Sequence, residues 1–128
     1  MNTKAVIGMI IAAIVILGGA VYIAVPTPAP KATAAFAQCV KDSGATFYGA
    51  FWCPHCQAQK AMFTADAVEK LPYVECSTPD GNNQTAACIA AKIESYPTWV
   101  FKNGATTTGA IELGALASST NCVLTTVK

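Results

Sequence analysis

Cysteines stand at positions 53 and 56 with Pro54 and His55 between them, directly after the aromatic run Phe47-Tyr48-Gly49-Ala50-Phe51-Trp52. Such a run followed by proline predicts a buried strand over 46–51 and a helix opening at Cys53 or Pro54, because proline suits a helix's first turn. Two thiols three positions apart at a helix start can close a small disulfide and open it again. A sulfur placed there faces free backbone N–H groups and the positive end of the helix dipole, which favour its thiolate. The motif points to thiol–disulfide exchange, with Cys53 attacking and Cys56, one turn deeper, resolving the mixed disulfide. His55 adds a donor or partial charge beside the Cys53 sulfur. A more stable thiolate makes the disulfide a stronger oxidant.

The same pair could be an inert disulfide or half of a zinc site. Zinc normally requires a second matched pair. Cys76 and Cys88 have eleven residues between them, and the single histidine lies inside the motif, so no metal is expected. No cofactor is expected beyond the redox-active disulfide itself. Trp52 reads as a wall of the site, or as plain core.

The rest of the 128-residue chain leaves room for one domain. Its hydrophobic fraction of 53% is high, and the surplus lies at one end. Residues 5–25 carry no charge, and as a helix they would be about 30 Å long, enough to cross a bilayer. The reading taken is a membrane anchor over 1–25; a cleaved leader, with Ala32-Thr33-Ala34 as its cleavage site, is the rival. Prolines 26, 28 and 30 make 26–33 an extended stalk, and 34–128 the domain. Six cysteines in so small a domain suit an oxidising compartment and place it outside the cytoplasm. A net charge of +1, with no basic run, gives no reason to expect nucleic acid.

Further elements follow from periodicity and punctuation. A helix is expected over 34–43, stopped by Gly44, and one continuous helix from 53 to about 71, ended by Pro72. Ala58, Ala61, Met62, Ala65 and Val68 would form its buried stripe. Then come a strand over 73–76, a turn cluster over 77–83, a helix over 84–93 and a strand over 98–102. Asn103-Gly104 signals a hairpin back through 105–108, and a helix follows over 111–118. The order gives an α/β layer with a terminal hairpin and helix.

This order, with Cys53-Pro54-His55-Cys56 after an aromatic strand and Tyr96-Pro97-Thr98 before a hairpin, resembles the thioredoxin superfamily over roughly 35–119. The segments 48–56, Tyr73-Val74-Glu75-Cys76, Asp80-Gly81 and Ser95-Tyr96-Pro97-Thr98-Trp99 resemble the thioredoxin-like domain linked to bacterial vitamin K epoxide reductase homologues. Pro-His between the cysteines is also the pair of DsbA-type oxidases. The resemblance implies a thioredoxin fold: a central mixed sheet flanked by helices, with a C-terminal hairpin and helix, here behind one transmembrane helix. It implies that Pro97 is cis and that Tyr96, with Trp52 and Thr98, borders the substrate; from the residues alone Tyr96-Pro97 is a turn. It implies a structural disulfide between Cys76 and Cys88, a second redox relay being the alternative. Cys39 and Cys122 are left to pair and staple the domain's ends, or not.

One position departs from the family. The buried carboxylate usual six residues before the first cysteine is replaced by Phe47, leaving Glu75 or a water to relay the proton of Cys56. Lys60 adds positive potential or is an ordinary solvated lysine. The expectation is a single-pass protein of the bacterial plasma membrane, its domain on the periplasmic side, donating disulfides to reduced or unfolded secreted proteins. A separate membrane oxidoreductase, similar to vitamin K epoxide reductase or DsbB, would reoxidise it. The alternatives are a reductase or isomerase, and a non-catalytic copper or zinc carrier using the same thiols.

Overall fold

The computed structural model describes residues 2–4, 7, 10 and 27–128. The expected anchor lies almost wholly outside the described residues. Among those described, no helix is long and apolar enough to cross a membrane.

The domain is a mixed sheet with helices on both faces. Strand β1 (Lys31–Ala32) leads into α1 (Ala34–Asp42) and β2 (Thr46–Gly49). Helices α2 (Pro54–Ala61) and α3 (Ala65–Val68) precede β3 (Tyr73–Glu75). Then follow α4 (Ala86–Ala90), β4 (Thr98–Val100), β5 (Thr106–Thr108), α5 (Leu113–Thr120) and β6 (Thr126–Val127). The main sheet runs β3-β2-β4-β5. Its one parallel pair is β2 with β3, and the α2–α3 crossover supplies the long connection that a parallel pair requires.

Side chains alternate across the sheet. Phe47 of β2 and Trp99 of β4 stack on one face with centroids 4.7 Å apart, in a core that includes Phe36, Phe63 and Leu116. Tyr48, Val74 and Val100 pack on the other face against Cys76, Cys88 and Ile93. Helix α1 presents Phe36, Ala37 and Val40 to the first core, a spacing that puts all three on one stripe. It ends at Gly44, whose φ of +85° is a conformation only glycine adopts freely.

The expected helix over 53–71 is two helices. Between them the backbone pairs with β1 instead of continuing its own ladder: the Ala32 amide donates to the Met62 carbonyl at 2.8 Å, and the Thr64 amide to the Ala32 carbonyl at 3.0 Å. Phe63, at the break, is 2% exposed and stacks on Phe36. The expected stripe is displaced as well. Ala58, Ala61 and Ala65 are exposed, Met62 and Val68 half-buried, and the buried positions are Cys53, Cys56, Gln59, Phe63, Ala67 and Leu71. Alanines bury little area each, so burying Phe63 outweighs them in setting the register.

The end of the expected stalk is part of the fold. Lys31 and Ala32 pair antiparallel with Val127 and Thr126, and Ala32 is fully buried. The Thr33 amide donates to the Thr125 carbonyl at 3.0 Å, and the two threonine hydroxyls also bond each other. A disulfide joins Cys39 of α1 to Cys122 just after α5, and another joins Cys76 to Cys88.

The two bridges close loops of very different length, with sequence separations of 83 and 12. Chain entropy alone gives stabilisations of roughly 4.5 and 3 kcal/mol. Replacing Cys39 and Cys122 together by alanine is expected to lower unfolding free energy more than replacing Cys76 and Cys88, as read by denaturant titration of each variant.

Candidate active site

Strand β2 ends at Gly49, and the chain turns through Ala50, Phe51 and Trp52 to reach α2. The Cys53 amide donates to the Ala50 carbonyl at 3.0 Å, closing that turn. Cys53 is the N-cap of α2 and Pro54 its first residue. The two cysteines are free thiols, Cys53 5% exposed and Cys56 1%. Cys53 keeps a small accessible part, while Cys56, in hydrogen-bond contact with it, is the more deeply buried.

The Tyr96-Pro97 peptide is cis. The Tyr96 carbonyl lies 3.7 Å from the Cys53 sulfur and accepts its thiol hydrogen. The structure thus brings Cys53, Cys56, Tyr96 and Pro97 together. His55 is exposed on the first turn of α2. Thr98 is 7% exposed, and its hydroxyl donates to the Ser95 carbonyl at 2.8 Å, building the turn that carries Tyr96.

Trp52 is about half exposed, beside an equally exposed Phe51. Its indole N–H donates to the Ser77 hydroxyl at 2.9 Å, and its ring meets Tyr96 edge-on with centroids 6.0 Å apart. The Tyr96 hydroxyl accepts from the Gln84 amide at 2.7 Å. Ser77 and Gln84 bridge each other within the loop that the Cys76–Cys88 disulfide closes. That loop therefore holds both aromatic walls. Neither Ser77 nor Gln84 carries a sequence signal for this task; each lies in a segment whose composition says only turn or helix.

Cys56 rests against Gly49. A Cβ on that glycine would lie 2.9 Å from the Cys56 sulfur and 2.9 Å from the Tyr73 ring. A lone glycine inside an aromatic strand is a recognisable sign of close approach. Burial, and after it a hydrogen bond with Cys53, push the Cys56 thiol up to about 12, against the smaller lowering effects of the Ala50 amide and the Lys60 charge.

Phe47 fills its position with an aromatic ring at 0% exposure, stacked on Trp99. Glu75 lies on the neighbouring strand with both carboxylate oxygens engaged. One accepts from the Phe51 amide at 3.1 Å and the Ser77 amide at 2.9 Å, the other from the Tyr73 hydroxyl at 2.8 Å. The Lys60 ammonium sits over the Tyr73 ring, 3.3 Å from its centroid. Among the described residues no three of His, Cys, Asp and Glu gather in one place.

Comparison with known proteins agrees with this geometry. The thioredoxin family model matches residues 28–121. The chain is 46% identical over 90 residues to the thiol-disulfide oxidoreductase LTO1 of Arabidopsis thaliana, an alignment covering 67% of this chain. It spans 23% of that relative's length.

Two outcomes follow for the sulfur pair. Gly49→Ala is expected to cost about 1–3 kcal/mol by overpacking and to slow disulfide closure, measured by denaturation and by alkylation-quenched oxidation. Between about pH 9 and about pH 12 an unfolded chain has released the Cys56 proton that the native dithiol keeps. The reduced protein should therefore lose stability as pH rises through that window, relative to reduced Cys56→Ala, in melting temperatures compared across it.

Proposed function

The chain belongs to the thioredoxin family, and on that footing we propose that this thiol–disulfide oxidoreductase donates disulfides to secreted proteins outside the cytoplasm. The observation that carries the reading is the sulfur pair: Cys53, slightly accessible, beside the Tyr96 carbonyl, and Cys56, in contact with it, more deeply buried. In the oxidised form, a substrate thiolate attacks the Cys53 sulfur. The Cys53–Cys56 bond breaks, and its electron pair goes to Cys56. A second substrate thiolate then attacks the substrate sulfur of the mixed disulfide and releases Cys53. The substrate loses two electrons, and the pair Cys53 and Cys56 gains them.

Two features support the direction of flow. Pro54-His55 between the cysteines matches the pair of DsbA-type oxidases. The other four cysteines are all joined in disulfides, as suits folding in an oxidising compartment. Half-exposed Phe51 and Trp52 beside Cys53 offer an apolar rim suited to unfolded chains. The uncharged run 5–25 serves as the anchor, in a bacterial plasma membrane with the domain on the periplasmic side. A separate quinone-linked membrane oxidoreductase, similar to vitamin K epoxide reductase or DsbB, restores the disulfide.

Trapping tests this directly. Cys56→Ala in the full chain, expressed in its host, is expected to accumulate mixed disulfides through Cys53 with secreted proteins and with one polytopic membrane protein. Cys53→Ala should trap neither. Recovery of no partner by Cys56→Ala, together with a reduction potential near roughly −270 mV, would replace the oxidase reading with a reductase.

A further inference from the structure

The exchange reading above leaves one difficulty. When Cys56 is the leaving sulfur it becomes a thiolate in a buried place, and burial disfavours that charge. Phe47, in the same core as the pair, has nothing ionisable to offer. Glu75, on β3, is of the wrong sign and has both oxygens engaged. The Tyr73 hydroxyl points its hydrogen at Glu75. His55 is exposed on the first turn of α2, and Cys53 is the sulfur under attack.

Lys60 is differently placed. It follows Cys56 by four residues on α2, so the two share a helix face. Its ammonium is fixed over the Tyr73 ring, and the edge of that ring and the Cys56 sulfur converge on Gly49. We propose that Lys60 neutralises the departing Cys56 sulfur, first as a neighbouring cation and then by passing it a proton.

The incoming thiolate bonds to Cys53, the Cys53–Cys56 bond breaks, and Cys56 takes the electron pair. A proton moves from the Lys60 ammonium to the Cys56 sulfur, and the neutral amine regains a proton from water. The direction is favourable. Burial lowers the proton affinity of Lys60 below that of a free lysine, against the opposing charges of Glu75 and Cys56, while the Cys56 thiol holds its proton unusually tightly.

The test uses the full chain with Cys53–Cys56 oxidised and glutathione as the attacking thiol, the opening followed by acid quench and alkylation. Wild type is expected to open faster than Lys60→Met by roughly tenfold or more near neutral pH. That ratio should fall toward one as pH rises and Lys60 loses its proton. Dividing the rates cancels the ionisation of glutathione itself. Lys60→Arg keeps the charge at every pH used, so its rate relative to Lys60→Met should stay flat. Should Lys60→Met fail to fold, wild type against Lys60→Arg still decides, because wild type must lose ground as the solution becomes alkaline. Equal rates for all three proteins, or a wild-type rate whose ratio to either variant does not change with pH, would overturn the role of Lys60. A wild-type disulfide that glutathione cannot open would overturn the exchange reading, and this inference with it.

Discussion

Glu75 accepts three hydrogen bonds with one carboxylate, and through one of them it fixes the loop that delivers Cys53. Residues 50–52 lie outside the strand ladder, so their backbone groups need partners elsewhere. Glu75 takes the Phe51 amide from the β3 side, and the Gln57 side chain donates to the Phe51 carbonyl at 2.9 Å from the α2 side. The loop is thereby held by the elements on either side of it. Hydrogen bonds to an ionised acceptor are stronger than neutral ones, which suits a short loop that has no apolar core of its own. The same carboxylate takes the Ser77 amide, so the Cys76–Cys88 loop is built from the same anchor as the redox motif.

A second polar anchor lies deeper. Gln59 is fully buried, an expensive place for an amide unless every hydrogen bond is made. Its oxygen accepts from the Ile111 amide at 2.7 Å and the Trp99 indole at 3.4 Å, and its nitrogen donates to the Ile111 carbonyl at 3.1 Å. These bonds tie α2 to the central strand and to the segment leading into α5. With Cys56 and Gln59 fixing which side of α2 faces inward, the helix has no need of its alanines for packing, and Ala58 and Ala61 remain outside.

The features legible in the sequence were the local ones. Proline after an aromatic strand marked the start of α2, Gly44 the end of α1, and Asn103-Gly104 the turn between β4 and β5, because each depends on backbone conformation within a few residues. What escaped depends on partners far away in the chain. Nothing in Met62-Phe63-Thr64 announces a broken helix; the break exists because Ala32 arrives to pair there. Thr126-Val127 reads as a tail until Lys31-Ala32 is laid beside it. Gln59 falls within an expected helix and looks solvated, since only the fold reveals that the Trp99 indole and the Ile111 backbone await it. At the site, spacing pointed to the sulfurs and the family resemblance to Tyr96 and Pro97. The tethers through Ser77 and Gln84 had no local trace.

An aromatic ring at Phe47, in the core that also holds the pair, has consequences for the whole site. A ring stacked on Trp99 strengthens the core but supplies no charge there, so polar chemistry has to come from neighbouring groups. Tyr73, Glu75 and Lys60 are those groups, an ordered series: hydroxyl to carboxylate, ring beneath ammonium. Each group limits what its neighbour can do. Glu75, holding two amides, cannot swing toward the sulfur without releasing the Cys53 loop. Tyr73 keeps its proton because burial opposes its loss and because the hydroxyl donates it in a hydrogen bond to Glu75. Lys60 is the member free of such a commitment, since a cation over a ring face is held by attraction and not by a directional bond. A site built in this way separates the rigid part, which positions the sulfurs, from the part that can move charge.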